Sequence, residues 1–187
     1  MHKHLPRLFI FLDEYNKLVF ENNITNLGII YRNYHSKKRE VELDKIAKLC
    51  KKKRIKLYVS NDIGLALRSK ADGIYVPSFN KTKGFSNLGK ANLMILGSAH
   101  NQKEIKEKVS QNCKTIFLAP IFYVEKKNKF LNINKFNILS RSNKSEFLAL
   151  GGINLKNISK LKLLNIKGFG SIKLLKKKTG LKKGRFF

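Results

Sequence analysis

Polar residues that could do chemistry recur at one kind of place in this chain, directly after short apolar runs. The runs close on Asp13, on Arg32, on Asn61 with Asp62, and on Ser98 with His100 two positions further on. Later runs close on the stretch from Pro120 through Lys127, on Gly151 with Gly152, and on Gly170 with Ser171. Two of these endings share a phosphate logic. In LALGGINLKN an apolar run meets two glycines and then Asn154, placed to cap a helix, while KGFGSIK is a glycine-bearing run ahead of a short basic segment. Glycine lets backbone approach a phosphate closely, and free amides at a helix N-terminus point at the anion. His100 suits another task, because an imidazole with an ordinary pKa of about 6.5 can move protons near neutrality; it could also cap the helix that begins at Asn101. His2, His4 and His35 show no ligand-like spacing with a carboxylate cluster, which argues against a histidine-held metal.

The elements that must position these residues follow from the periodicity. Eight apolar or β-branched runs predict strands over Leu8–Asp13, Leu27–Arg32, Lys56–Asn61, Gly73–Val76, Leu93–Ser98, Thr115–Pro120, Phe147–Gly151 and Gly168–Ile172. Helical spacing lies between most of them, most clearly over Glu40–Lys53 and Gln102–Gln111. Several runs are continuously apolar, as expected of parallel strands covered on both faces. The strand starts average about 23 residues apart, close to the roughly 25 of an eight-unit barrel, so the expected fold is a single (β/α)8 TIM-type barrel of the α/β class. The fourth helix, Asn80–Lys90, is interrupted by Gly84 and Gly89, and the last, Lys173–Thr179, is short. In such a barrel the residues that close the strands share one end, where barrel sites are built.

Composition sets the bounds. A chain of 187 residues that is 42% hydrophobic can bury one good core, and one domain over residues 1–187 is expected, with a basic tail at 174–187. Lys and Arg number 40 against 12 Asp and Glu, a net charge of +28. Such a charge suits a nucleic-acid binder or a cleft that attracts phosphorylated metabolites. The basic residues are spread along the whole chain, as coding from AT-rich DNA would also produce. Cys50 and Cys113 form no CxxC pair and read as buried thiols. The apolar run near the N-terminus is about five residues, against the roughly 20 of a membrane helix, so a cytoplasmic location without membrane contact is expected.

The segments LYVSNDIGLALRSKADGIYV, ILGSAHNQKEI, TIFLAPIF and LALGGINLKNISKL, in this order and spacing, resemble the thiamine phosphate synthases and their relatives, the thiazole tautomerases, over about residues 8–173. The resemblance implies a (β/α)8 barrel that joins an aminopyrimidine methyl diphosphate to a thiazole phosphate and expels pyrophosphate, with magnesium on the leaving group. It also implies roles for individual residues. Arg32 would clamp the diphosphate, Asn61 would bind substrate and Asp62 would ligate magnesium. Ser98 would act at the end of strand five with Lys127 or Lys126 on the loop after strand six, and Gly151, Gly152, Gly170 and Ser171 would hold the thiazole phosphate. Departures from the family pattern fall in the site: Ile30 and Tyr34 flank the arginine, Asn80 replaces a second magnesium carboxylate, Tyr75-Val76-Pro77 replaces His-Leu-Gly, and Val124 and Lys126 replace threonines. Ser98-x-His100 also resembles the tautomerase, in which the histidine moves a proton and no magnesium pair is needed. The expected order of readings is therefore synthase first, tautomerase or silent phosphate binder on the same barrel second, and nucleic-acid binder third. The sequence does not fix the oligomeric state.

Overall fold

A computed structural model describes residues 4–22, 24–85, 92–125, 129–141 and 144–175. Eight parallel strands close into a barrel in chain order: β1 (Leu8–Leu12), β2 (Leu27–Tyr31), β3 (Lys56–Ser60), β4 (Gly73–Val76), β5 (Met94–Ala99), β6 (Thr115–Leu118), β7 (Glu146–Leu150) and β8 (Gly168–Ser171). The last strand pairs with the first through Phe9 and Gly170, so no sheet edge remains. The connections carry α1 (Lys17–Glu21), α2 (Arg39–Lys53), α3 (Ile63–Arg68), α4 (Gln102–Ser110), α5 (Asn132–Arg141) and a 3-10 helix (Ile158–Leu163).

Every residue of β1 and β2 is buried, because one face meets the helices and the other the barrel interior. The interior is unusually aromatic. Phe9, Phe11, Tyr58, Tyr75 and Phe117 pack there with Ile30, Leu96 and Leu148, the ring pair Phe9–Phe117 meeting edge to face at 5.2 Å. Rings of this size leave no room on the facing strands. A Cβ on Gly28 would lie 2.7 Å from the Phe9 ring, and one on Gly170 would lie 2.9 Å from both Phe11 and Phe117. The missing side chain of Gly170 thus makes space for the interior rings.

Three local expectations change. Residues 80–85 form no helix, and 86–90 lie outside the described residues. Residues 173–175 form a bend and turn, and 176–179 lie outside the described residues. Asn154 does not cap the segment after β7; it accepts from the Lys156 amide in a tight turn, and the 3-10 helix begins only after Asn157.

Candidate active site at the carboxyl end of the barrel

The register Leu12↔Tyr31 sets Asp13 beside Arg32. The Arg32 guanidinium donates from Nε and Nη2 to the two Asp13 carboxylate oxygens, each at 3.0 Å, and lies over the Phe11 ring at 5.3 Å. A guanidinium carries five N–H donors, so this bidentate pair orients Arg32 and leaves three for a ligand. Asp13 was legible as a strand end, but its partnership with Arg32 was not.

At the end of β3, Asn61 adopts a left-handed backbone with φ 60° and donates its amide to the Tyr75 carbonyl at 2.9 Å. Its side-chain oxygen accepts from the Asn80 amide, which joins the loops after β3 and β4. Asp62 is engaged on both oxygens. Oδ1 caps α3 by accepting from the Leu65 amide at 2.8 Å, and Oδ2 pairs with Arg39 Nη1 at 3.1 Å. Arg39 Nη2 donates to the Ser60 carbonyl at 2.7 Å, and its guanidinium lies 5.9 Å from the centre of the Tyr34 ring. The Tyr34 hydroxyl is 2.6 Å from Ser60 Oγ, and its ring meets Phe79 edge to face. Sequence reasoning missed Arg39 altogether. It opens α2 after the loop that follows β2, and only the fold brings it to β3.

Ser98 is buried near the end of β5, close to the Tyr75 phenol. Burial pushes Tyr75 up to about 12, with nearby Ser98 working the other way. His100 does not cap α4. Asn101 does, accepting from the Glu104 amide at 3.0 Å while Glu104 Oε1 accepts from the Asn101 side chain at 3.1 Å. The other Glu104 oxygen lies 2.8 Å from His100 Nδ1 and accepts from the His100 amide at 2.9 Å. Burial acts to raise Glu104, but the hydrogen bonds from His100 and Asn101 outweigh it and hold the carboxyl below its usual range. The pair fixes the imidazole through Nδ1 and turns Nε2 to the other side.

The endings of β7 and β8 lie side by side, with Leu150 in register with Gly170. Gly151 and Gly152 have φ of 92° and 73°. A Cβ on Gly152 would lie 2.6 Å from the Phe122 and Tyr123 carbonyls, so these glycines press the loop after β7 against the loop after β6. Ser171 Oγ accepts from the amides of Lys173 and Leu174, at 3.3 and 3.2 Å, gathering two backbone donors beside Gly151 and Gly152. Lys126 and Lys127 lie outside the described residues.

Behind the loop after β4 is a lysine that sequence reasoning did not single out. Lys108 of α4 is fully buried, and its ammonium donates to the carbonyls of Pro77 at 2.8 Å and Asn80 at 2.7 Å and to Gln111 Oε1 at 2.7 Å. Burial holds it below the ordinary lysine value. It ties down the loop that carries Phe79 and Asn80. At the opposite, amino end of the barrel, a hollow of about 400 Å³ is lined by His4, Leu5, Arg7, Glu146, Ile166 and Lys167.

Among the described residues no helix is long and apolar enough to cross a membrane. Residues 22–174 match the family model described as thiamine monophosphate synthase. A thiamine-phosphate synthase of Prochlorococcus marinus subsp. pastoris is 37% identical over 124 residues, 65% of this chain and 35% of that protein. The thiamine-phosphate synthase of Flavobacterium psychrophilum is 23% identical over 158 residues, 79% of this chain and 76% of its own. The chain thus spans about a third of the length of the Prochlorococcus relative. Among solved structures, the thiamine phosphate pyrophosphorylase from Pyrococcus furiosus superposes with a TM-score of 0.78 at 16% identity, over 93% of this chain and 89% of that one, a likeness of fold. With its family match extending from before β2 to beyond β8, the chain belongs to the thiamine monophosphate synthase family.

Proposed function

We propose that the chain is a thiamine phosphate synthase-like transferase that couples an aminopyrimidine methyl diphosphate to a thiazole phosphate. The observation that carries this reading is the gathering of two anion-suited regions at one end of the barrel: Arg32 with the Ser60–Asp62 segment on one side, and Gly151, Gly152 and Ser171 on the other. In the reaction the thiazole nitrogen attacks the exocyclic methylene carbon. A C–N bond forms, the C–O bond breaks, and its electron pair leaves with pyrophosphate. Negative charge grows on the leaving group, so cations and donors fixed there stabilise the transition state more than the ground state. Arg32 supplies such a cation, already oriented by Asp13. The Ser98 hydroxyl and Asn61 would complete the diphosphate side, where the family resemblance also implies a role for Lys126 or Lys127. On the thiazole side, the amides that now bond Ser171 Oγ would turn to the phosphate.

Magnesium on the leaving group, which the family resemblance implies, does not fit these residues as a protein-held ion. Asp62 has both oxygens engaged, Asn61 and Asn80 bond each other, and among the described residues no three His, Cys, Asp or Glu side chains cluster. Side chains therefore carry a share of the leaving group's charge.

The second reading, a thiazole tautomerase, is favoured by the His100–Glu104 pair, which holds an imidazole ready for proton transfer. Pyrophosphate release measured with each substrate alone and with both separates the two. Release that requires both substrates is expected. No release, with isomerisation of the thiazole carboxylate phosphate lost in His100→Ala, would overturn the synthase reading in favour of the tautomerase.

A further inference from the structure

We infer that Arg39 is a second diphosphate-binding cation, standing where the described residues form no carboxylate cage for a metal; this deepens the synthase reading and rests on it. The position follows from the strands. Tyr31↔Val59 pairing sets Arg32 beside Ser60, and Arg39 bonds the Ser60 carbonyl, so both guanidiniums serve the β2–β3 edge of the barrel mouth. Both are prepared alike. Each has an aspartate partner and an aromatic ring against its face, Asp13 and Phe11 for Arg32, Asp62 and Tyr34 for Arg39.

Two of the five Arg39 donors are engaged, by Asp62 and by Ser60. The Nε donor is buried and has no partner among the described residues. Buried donors are nearly always satisfied, and one that is not calls for an explanation, a bound anion among them. Guanidinium is the side chain best matched to two phosphate oxygens at once, and a partly buried one loses little to solvent screening. Asp62 holds Arg39 in place at a cost, because its carboxylate repels the same anion. Asp62→Asn keeps the helix cap, since asparagine caps as well as aspartate, while removing that repulsion.

The substitution has opposite consequences in the two accounts. Titration calorimetry of the full chain with inorganic pyrophosphate, in EDTA and again in excess magnesium, reads them out. Wild-type protein in EDTA is expected to bind within about threefold of its affinity in magnesium. Arg39→Ala should weaken binding in EDTA by about tenfold or more, Arg39→Lys should recover only part of the loss, and Asp62→Asn should tighten it by about twofold to fivefold. Binding that appears only with magnesium, or is abolished by Asp62→Asn, would assign Asp62 to a metal and overturn the inference, as would an Arg39→Ala variant that binds like wild type. Should Arg39→Ala fail to fold by circular dichroism, Arg39→Lys and Asp62→Asn decide alone. Arg39-dependent binding without coupling would sink the synthase reading and leave this one standing; coupling that ignores Arg39 would do the reverse.

Discussion

Replacing Lys108 by methionine tests how the diphosphate side of the mouth is held. Methionine keeps the length and apolar stem and removes three charge-assisted hydrogen bonds, to the Pro77 and Asn80 carbonyls and Gln111 Oε1. The Asn80 carbonyl retains the Gln111 side-chain amide at 2.9 Å, so two acceptors, Pro77 O and Gln111 Oε1, are left without the bonds that now satisfy them. Bonds to a charged group contribute about 1.5–3 kcal/mol each, or roughly 4–9 kcal/mol for three. Against this, the ammonium no longer has to be stripped of water, which returns several kcal/mol. The hydrogen bonds win narrowly, because every ammonium donor has a partner within 2.8 Å, and the net loss is about 1–3 kcal/mol. Urea unfolding should show a lower midpoint at unchanged slope, and hydrogen exchange should rise over residues 77–82 before it rises elsewhere. A variant as stable as wild type, with residues 77–82 equally protected, would show that desolvation dominates and that Lys108 does not anchor this loop.

Other consequences are equally direct. Gly152→Ala places a methyl 2.6 Å from two backbone carbonyls at φ 73°, which should cost about 3 kcal/mol and raise KM for the thiazole phosphate more than for the pyrimidine; equal effects on both would detach this loop from the thiazole side. Burial pushes the Cys50 and Cys113 thiols up to about 12, whereas unfolded thiols ionise from about 8.5. The native state then binds more protons than the unfolded one, so stability should fall as pH rises between these values, by up to about 1.4 kcal/mol per pH unit per thiol, and a double alanine variant should lose that slope in urea titrations. Glu104→Gln keeps a side chain able to cap α4 but removes the carboxylate that holds His100 Nδ1; any isomerase activity should fall, and unchanged activity would remove Glu104 from that chemistry.

The barrel was legible because its determinants are local. Continuous apolar runs such as LFIFL and LGIIY have no polar face to turn to solvent, and parallel burial follows from that. The strand ends that close on Arg32, Asn61, Asp62 and Ser98 were legible for the same reason, since the end of a run marks the mouth. What the sequence concealed is pairwise and distant. Arg39 meets Asp62 across 23 positions, and Lys108 reaches Pro77 across 31, with no spacing that announces either. The room that Gly170 leaves for Phe11 and Phe117 was hidden as well, because a glycine required by interior rings reads the same as one at a turn. His100 beside Asn101 was ambiguous for a similar reason, as either residue type can begin a helix and only geometry shows Asn101 doing so.

The paired endings of β7 and β8 are proposed to hold the thiazole phosphate, and the synthase chemistry turns on that grip. Amide chemical-shift mapping of the full chain with thiazole phosphate tests this directly. The largest shifts are predicted at Gly151, Gly152 and Ser171 through Leu174; shifts confined to the hollow at the amino end, around Arg7 and Lys167, would contradict it.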